Sequence, residues 1–263
     1  MSHDPASWRS LLVIGHSHVL ALRAAAIARR EAHPDRPRAR TIHLLDPAFG
    51  GELAGERPEE GFSEGVRTAI LDQIARRRPF VASAIGGHAH VVTSLLQPGR
   101  RFDFVLSAGP DTPEALEQLP PDPQAEIIGE ADARRMLAGA LVFELTRLRI
   151  LRDLVGPFVH LQPPPPVRRT DWLFAHAESF FRDDPAFSQE AIAPAGVRYR
   201  MWRLAMRIVG EECARLGCRV IPIPREACGA AGMLRPSLAG DATHGNPHFG
   251  ELMLRELDRL AAI

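Results

Sequence analysis

Short apolar runs recur along this chain, each closed by glycine or proline and most followed by a helix-length stretch. Residues 10–14 (SLLVI) are the first; Gly15 ends the run, and an Ala-, Leu- and Arg-rich stretch covers 19–31. Runs at 40–46, 80–85, 158–162 and 219–223 repeat the theme, and 102–107 reads as a further strand or extended segment. Helical stretches are expected at 63–77, 129–154, 195–216 and 247–260. Apolar runs this short, without polar alternation, suit strands covered on both faces. Strands alternating with helices make parallel βαβ units, with helices on both sides of one sheet. Such sheets bind ligands at the carboxyl ends of their strands.

That rule directs attention to the residues just after each run. Residues 15–18 (GHSH), Gly50 and Gly51, residues 86–90 (GGHAH) and the four prolines 163–166 all follow expected strands. They are therefore expected along one crest of the sheet. The prolines stop the strand before them, since proline cannot donate to a ladder. Residues 163–193 read as an irregular, aromatic-rich excursion. The segment GDATHGNPHFG, 240–250, comes after the last strand and leads into the last helix, so it can reach the same crest.

A chain of 263 residues, 45% hydrophobic, suits one large domain spanning 1–263. The formal net charge is zero, so no basic field for nucleic acid or an anionic membrane is implied. Every one of the 32 basic residues is arginine. Cys213, Cys218 and Cys228 are odd in number and lack metal-ligand spacing; they read as small buried residues of a reduced, cytoplasmic protein. No run reaches membrane-spanning length, and no leader with an apolar core is expected at the start.

Asp241 and His244 stand three residues apart, a carboxylate beside an imidazole. That pair supplies a base and the group that orients it, but no nucleophile. Ser17, between the first strand and its helix, supplies one. A serine hydroxyl needs a neighbouring imidazole to take its proton, and the resulting oxyanion needs preorganised N–H donors. Ser17, at a helix N-terminus, has its own N–H for this purpose, and Gly50 or Gly51 can bring a second backbone N–H close.

These parts, in this order, resemble the SGNH/GDSL hydrolases. GHSH is similar to the family's first block, which carries the nucleophile. Gly51, with Gly50 as the alternative, resembles the block that supplies an oxyanion glycine. GGHAH resembles the third block, Gly-x-Asn, and DATH the last, Asp-x-x-His. The resemblance implies a three-layer αβα, flavodoxin-like domain that hydrolyses or transfers acyl groups through an acyl-enzyme on Ser17. His244 would act as base and then acid, and Asp241 would orient it. No metal and no organic cofactor is implied, and the partner is a small-molecule or saccharide acyl ester. Two residues depart from the pattern. His16 replaces an aspartate outside the triad, and His88 replaces the third-block asparagine. A neutral imidazole offers one N–H where an amide offers two, so His88 serves the oxyanion in one tautomer only.

Other readings compete. A domain keeping the crevice without turnover is one, and a metal-dependent hydrolase built on the histidine cluster is another. His18 and His90 read as supporting groups behind the site. Arg198, Arg200 and Arg203 read as a solvated helix face, with a substrate-anion role as the alternative. Trp172, Phe174, Phe180 and Phe181 either line a substrate pocket or form a satellite core.

Overall fold

The computed structural model describes residues 10–34, 38–49, 61–107, 119–229 and 231–261. Strand β1 is Ser10–Gly15, followed by α1 (Val19–Ala32), β2 (Arg38–His43), α2 (Glu64–Arg77), β3 (Phe80–Ala84) and α3 (Ala89–Ser94). Next come β4 (Phe102–Asp103), β5 (Glu126–Ile127), α4 (Glu130–Ala140), α5 (Val142–Val155) and β6 (Val159–Leu161). Then follow α6 (Thr170–His176), α7 (Ser179–Arg182), α8 (Ala195–Arg215), β7 (Arg219–Ile221) and α9 (Pro247–Ala261).

Five strands form one sheet in the order β2-β1-β3-β6-β7, and every pairing in it is parallel. This is the flavodoxin-like order, and the chain changes direction across the sheet between β1 and β3. Side chains alternate faces along each strand. Leu12 and Ile14 of β1 and Val81 of β3 join one buried cluster with α2, α4, α5 and α8. Val13, Ala82 and Ala84 join a second with α1 and α9. The result is the three-layer αβα arrangement expected from the alternation of runs. Among the described residues, no helix is long and apolar enough to cross a membrane.

Local chemistry sets several boundaries. Ser63 caps α2 by accepting from the Val66 N–H. Asn246 caps α9, its Oδ1 accepting from the N–H groups of His248 and Phe249, with Pro247 at the first helical position. Asn246 thus takes the capping task and leaves Asp241 outside the helix.

Four expectations need correction. The single helix expected over 129–154 is two, α4 and α5, which meet at Leu141 (φ −90°, ψ −5°). Leu137, Leu141, Leu148 and Leu151 from both helices and their junction bury in one core. The run 102–107 contributes only the two residues of β4, which pair with β5 away from the main sheet. The excursion over 163–193 holds α6 and α7. Finally, Arg198 and Arg200 are not solvated; they are 2% and 3% exposed. Arg198 donates to the carbonyls of Ala193, Val167 and Arg168, and Arg200 grips Asp103 through two nitrogens and also donates to the Leu119 carbonyl. Loop carbonyls, which a sequence pattern does not locate, are what make these guanidinium groups tolerable inside.

Candidate active site

The site gathers at the switch point. Ser17 comes after β1, and residues 86–88 come after β3, the neighbouring strand. Gly15 lies so close to β3 that a Cβ there would run into the Ala84 carbonyl. Gly86 and Gly87 have φ of +82° and +104°, a region that glycine alone enters freely. A Cβ on Gly87 would also sit 2.6 Å from Nε2 of His18. The GG pair is therefore required by backbone geometry and by the ring beside it. His16 ties the two loops together: its Nδ1 accepts from the Gly86 N–H at 3.1 Å.

The third loop arrives by helix pairing. Helix α9 lies on α1 with Gly250 against Ala21, and Arg29 pairs with Glu251 (2.5 Å) and Asp258 (2.7 Å). Ser17 stands just ahead of α1 and His244 just ahead of α9. Laying the two helices side by side brings together residues 227 apart in sequence. His244 Nε2 is 2.6 Å from Ser17 Oγ. On the other side of the ring, Nδ1 is 2.9 and 2.8 Å from the two oxygens of Asp241. Asp241 also accepts from the backbone N–H groups of Thr243 and His244. Burial pushes its carboxyl up, but the His244 ring and these N–H groups outweigh burial and hold it at about 2. It is therefore an anion at neutral pH.

The other histidines surround this line. His18 is buried, and its ring centroid lies 4.9 Å from that of His244. His16, at 4% exposed, is held at about 3 by burial and by the Arg147 guanidinium, whose Nη1 lies 3.1 Å from His16 Nε2. His90 is buried and likewise held at about 3. Both are neutral packing groups at any ordinary pH. His88 is half-exposed, and its Nε2 lies 3.4 Å from the buried Glu144. Burial raises the Glu144 carboxyl, while the charge of His88 lowers it. Gly50 and Gly51 lie outside the described residues. A cavity of about 20 Å³ lies behind the crest, lined by His18, Leu22, Leu161, Pro163, Phe249 and Met253 among others.

Three side chains of the site carry no signal in the sequence. Glu144 and Arg147 come from α5, where both look like ordinary helix-surface charges. Glu178 comes from the excursion, in AHAESFF, and its Oε1 is 3.5 Å from Nδ1 of His244. No local pattern marks any of them. The aromatic residues of the excursion divide. Phe181 is buried in the α1–α9 cluster and Trp172 packs against it, whereas Phe180 is exposed. Among the described residues, the group of metal-capable side chains with ligand atoms within 4.8 Å of one another is Glu178, Asp241 and His244. The H-x-H pairs at 16–18 and 88–90 do not form such a group.

A parallel, doubly wound sheet with a serine, a histidine and an aspartate in line at its carboxyl edge defines the class: a three-layer α/β fold carrying a hydrogen-bonded line of hydroxyl, imidazole and carboxylate. No family model matches the chain and no curated protein matches its sequence. It is similar in structure to a GDSL-like lipase from Bacteroides thetaiotaomicron, at 8% identity and a TM-score of 0.43, over 99% of this chain and 91% of that one. It is also similar to an acetylxylan esterase from Geobacillus stearothermophilus, crystallised as a catalytic mutant, at 12% identity and a TM-score of 0.46, over 98% of this chain and 95% of that one.

Proposed function

We propose that this chain is a serine hydrolase of acyl esters, acting through an acyl-enzyme on Ser17. The observation that carries the proposal is the unbroken line from Ser17 Oγ to His244 (2.6 Å) and from His244 to Asp241 (2.8 Å). With Nδ1–H donating to Asp241, Nε2 carries the lone pair and accepts the Ser17 proton. Oγ then bonds to the acyl carbon, and the carbonyl electrons move onto its oxygen. The C–O bond to the alcohol breaks as His244 returns the proton to the departing oxygen. A water, deprotonated by the same nitrogen, attacks the acyl carbon and releases Ser17 and the acid. Asp241 stays ionised throughout and stabilises the imidazolium.

In this reading the oxyanion is met by the N–H of Ser17, by Gly51 or Gly50, and by His88. Glu144 beside His88 Nε2 supports the last role in one specific state. A protonated Glu144 donating to Nε2 leaves the His88 proton on Nδ1 as a donor. The substrate belongs to the small-molecule or saccharide acyl esters, and the protein acts in the cytoplasm as a single domain over 1–263. The unpaired thiols of Cys213 and Cys218, both buried, support a reducing compartment.

The test is intact mass after treatment with a fluorophosphonate, beside Ser17→Ala and His244→Ala. One adduct on the wild type, absent from both variants, is expected. A folded wild-type protein that takes no adduct refutes the proposal and favours a binding domain without turnover. The cluster of Glu178, Asp241 and His244 favours one other reading, a metal-dependent hydrolase. In that case Ser17→Ala keeps most of its activity and a chelator removes it.

A further inference from the structure

We infer that Glu178 is a second carboxylate partner of His244, a positioning residue that shares the imidazole with Asp241. The inference deepens the triad reading and rests on it. The geometry is specific. Glu178 stands at the N-cap position of α7, yet its side chain makes no capping bond there. Its backbone carbonyl accepts from the N–H groups of Phe181 and Arg182, which fixes the residue at the head of the helix. The Ala242 N–H donates to the His176 carbonyl, which pins the stretch just before Glu178 against the 241–244 loop. So held, the side chain turns inward, with Oε1 3.5 Å from His244 Nδ1 and the whole group only 22% exposed. Its other oxygen, Oε2, is buried without a hydrogen-bond partner. The carboxyl group that leaves the cap unmade is held instead by the Thr243 and Asp241 side chains, with the His244 ring beside it.

Four groups bear on the His244 ring: Ser17 and the neutral His18 from the start of α1, Asp241 from its own loop, and Glu178 from the head of α7. Burial and the neighbouring Asp241 charge raise the Glu178 carboxyl, while Thr243 lowers it. Asp241 holds the shorter contacts and sets the tautomer in the wild type. Glu178 lies on the same side of the ring as Asp241, and when Asp241 is removed it is the remaining acceptor within reach of Nδ1–H.

The experiment reads the His244 tautomer by NMR on ¹⁵N-histidine-labelled protein, with the resonances assigned by their loss in His244→Ala. It is run on wild type, Glu178→Leu, Asp241→Ala and the double variant. Nδ1–H is expected in the wild type and in each single variant, because one carboxyl group still accepts, and Nε2–H in the double variant. Glu178→Gln in the Asp241→Ala background, whose amide oxygen still accepts, is expected to keep Nδ1–H. Nε2–H already in Asp241→Ala, or Nδ1–H persisting in the double variant, overturns the assignment. A purely structural Glu178 would lower stability when replaced and leave the tautomer in the Asp241→Ala background unchanged. Fluorophosphonate labelling of the same four proteins reads the hydrolase proposal separately. The tautomer needs no reactive Ser17, so absent labelling removes the hydrolase reading and leaves Glu178 to be judged on the ring alone.

Discussion

Gly250 is where a single methyl group tests whether helix pairing sets the distance between Ser17 and His244. It lies in the first turn of α9, against the backbone of α1. A Cβ built there would stand 2.6 Å from the carbonyl carbon of Ala21 and 2.9 Å from the nitrogen of Leu22. Carbon atoms in good contact are ~3.5–4.0 Å apart. Gly250→Ala must therefore push α9 from α1 by roughly 1 Å, and no rotamer change relieves a clash with backbone. Two effects oppose each other. Alanine is favoured over glycine inside a helix by at most ~1 kcal/mol. Overpacking a tight contact costs ~1–3 kcal/mol. The clash prevails, and a net loss of about 1–2 kcal/mol is expected in urea unfolding. Because His244 rides ahead of α9 and Ser17 ahead of α1, the same displacement lengthens their 2.6 Å hydrogen bond. A misplacement of about 1 Å costs on the order of 100-fold in rate. Fluorophosphonate labelling of Ser17 should slow by about that factor. Gly210→Ala is the control. Gly210 lies within α8 and a Cβ there meets nothing within 4 Å, so that variant should gain up to ~1 kcal/mol and label at the wild-type rate. A Gly250→Ala protein as stable and as reactive as wild type would refute the claim that α1–α9 packing sets the Ser17–His244 distance.

Buried charge leads to further outcomes. His16 and His90 are held at about 3 and His160 at about 4, all chiefly by burial, whereas an unfolded chain protonates histidine near 6.5. The unfolded state thus binds more protons between those values, so this stability is complete above ~6.5 and is lost as pH falls toward 4. The urea midpoint should drop between pH 6 and 5, and His160→Gln should reduce the slope by about 1.4 kcal/mol per pH unit; an unchanged slope would count against a neutral buried His160. Asp103→Ala strands the buried Arg200 guanidinium and should cost ~3–5 kcal/mol in the same assay, against a smaller cost for the paired Asp103→Leu/Arg200→Met change. A loss below ~1 kcal/mol would show that Arg200 finds other partners. Coincident urea transitions by tryptophan fluorescence and far-ultraviolet dichroism are expected of one domain over 1–263, and two separated transitions would divide it.

Local sequence was enough to specify the five strands of the main sheet, their common direction and the loops 15–18, 86–90 and 240–246 that meet at its crest. Runs such as SLLVI are too short and apolar to be anything but buried strands when helices alternate with them. DATH was legible because the Asp241–His244 contact closes over three residues, and the Asn246-Pro247 helix start excludes Asp241 from capping. What lay beyond reach was every contact made by elements distant in the chain. The excursion concealed α6 and α7 because short helices lack a long apolar period. Arg198 and Arg200 looked solvated because the carbonyls and the Asp103 carboxylate that pair with them belong to other segments. Glu144, Arg147 and Glu178 gave no signal, since a lone charge on a helix or loop is ordinarily exposed. Folding alone makes the space ahead of α1 and the space ahead of α9 one place. The packing of Gly250 on Ala21 does so, closing a separation of 227 residues that no local pattern encodes.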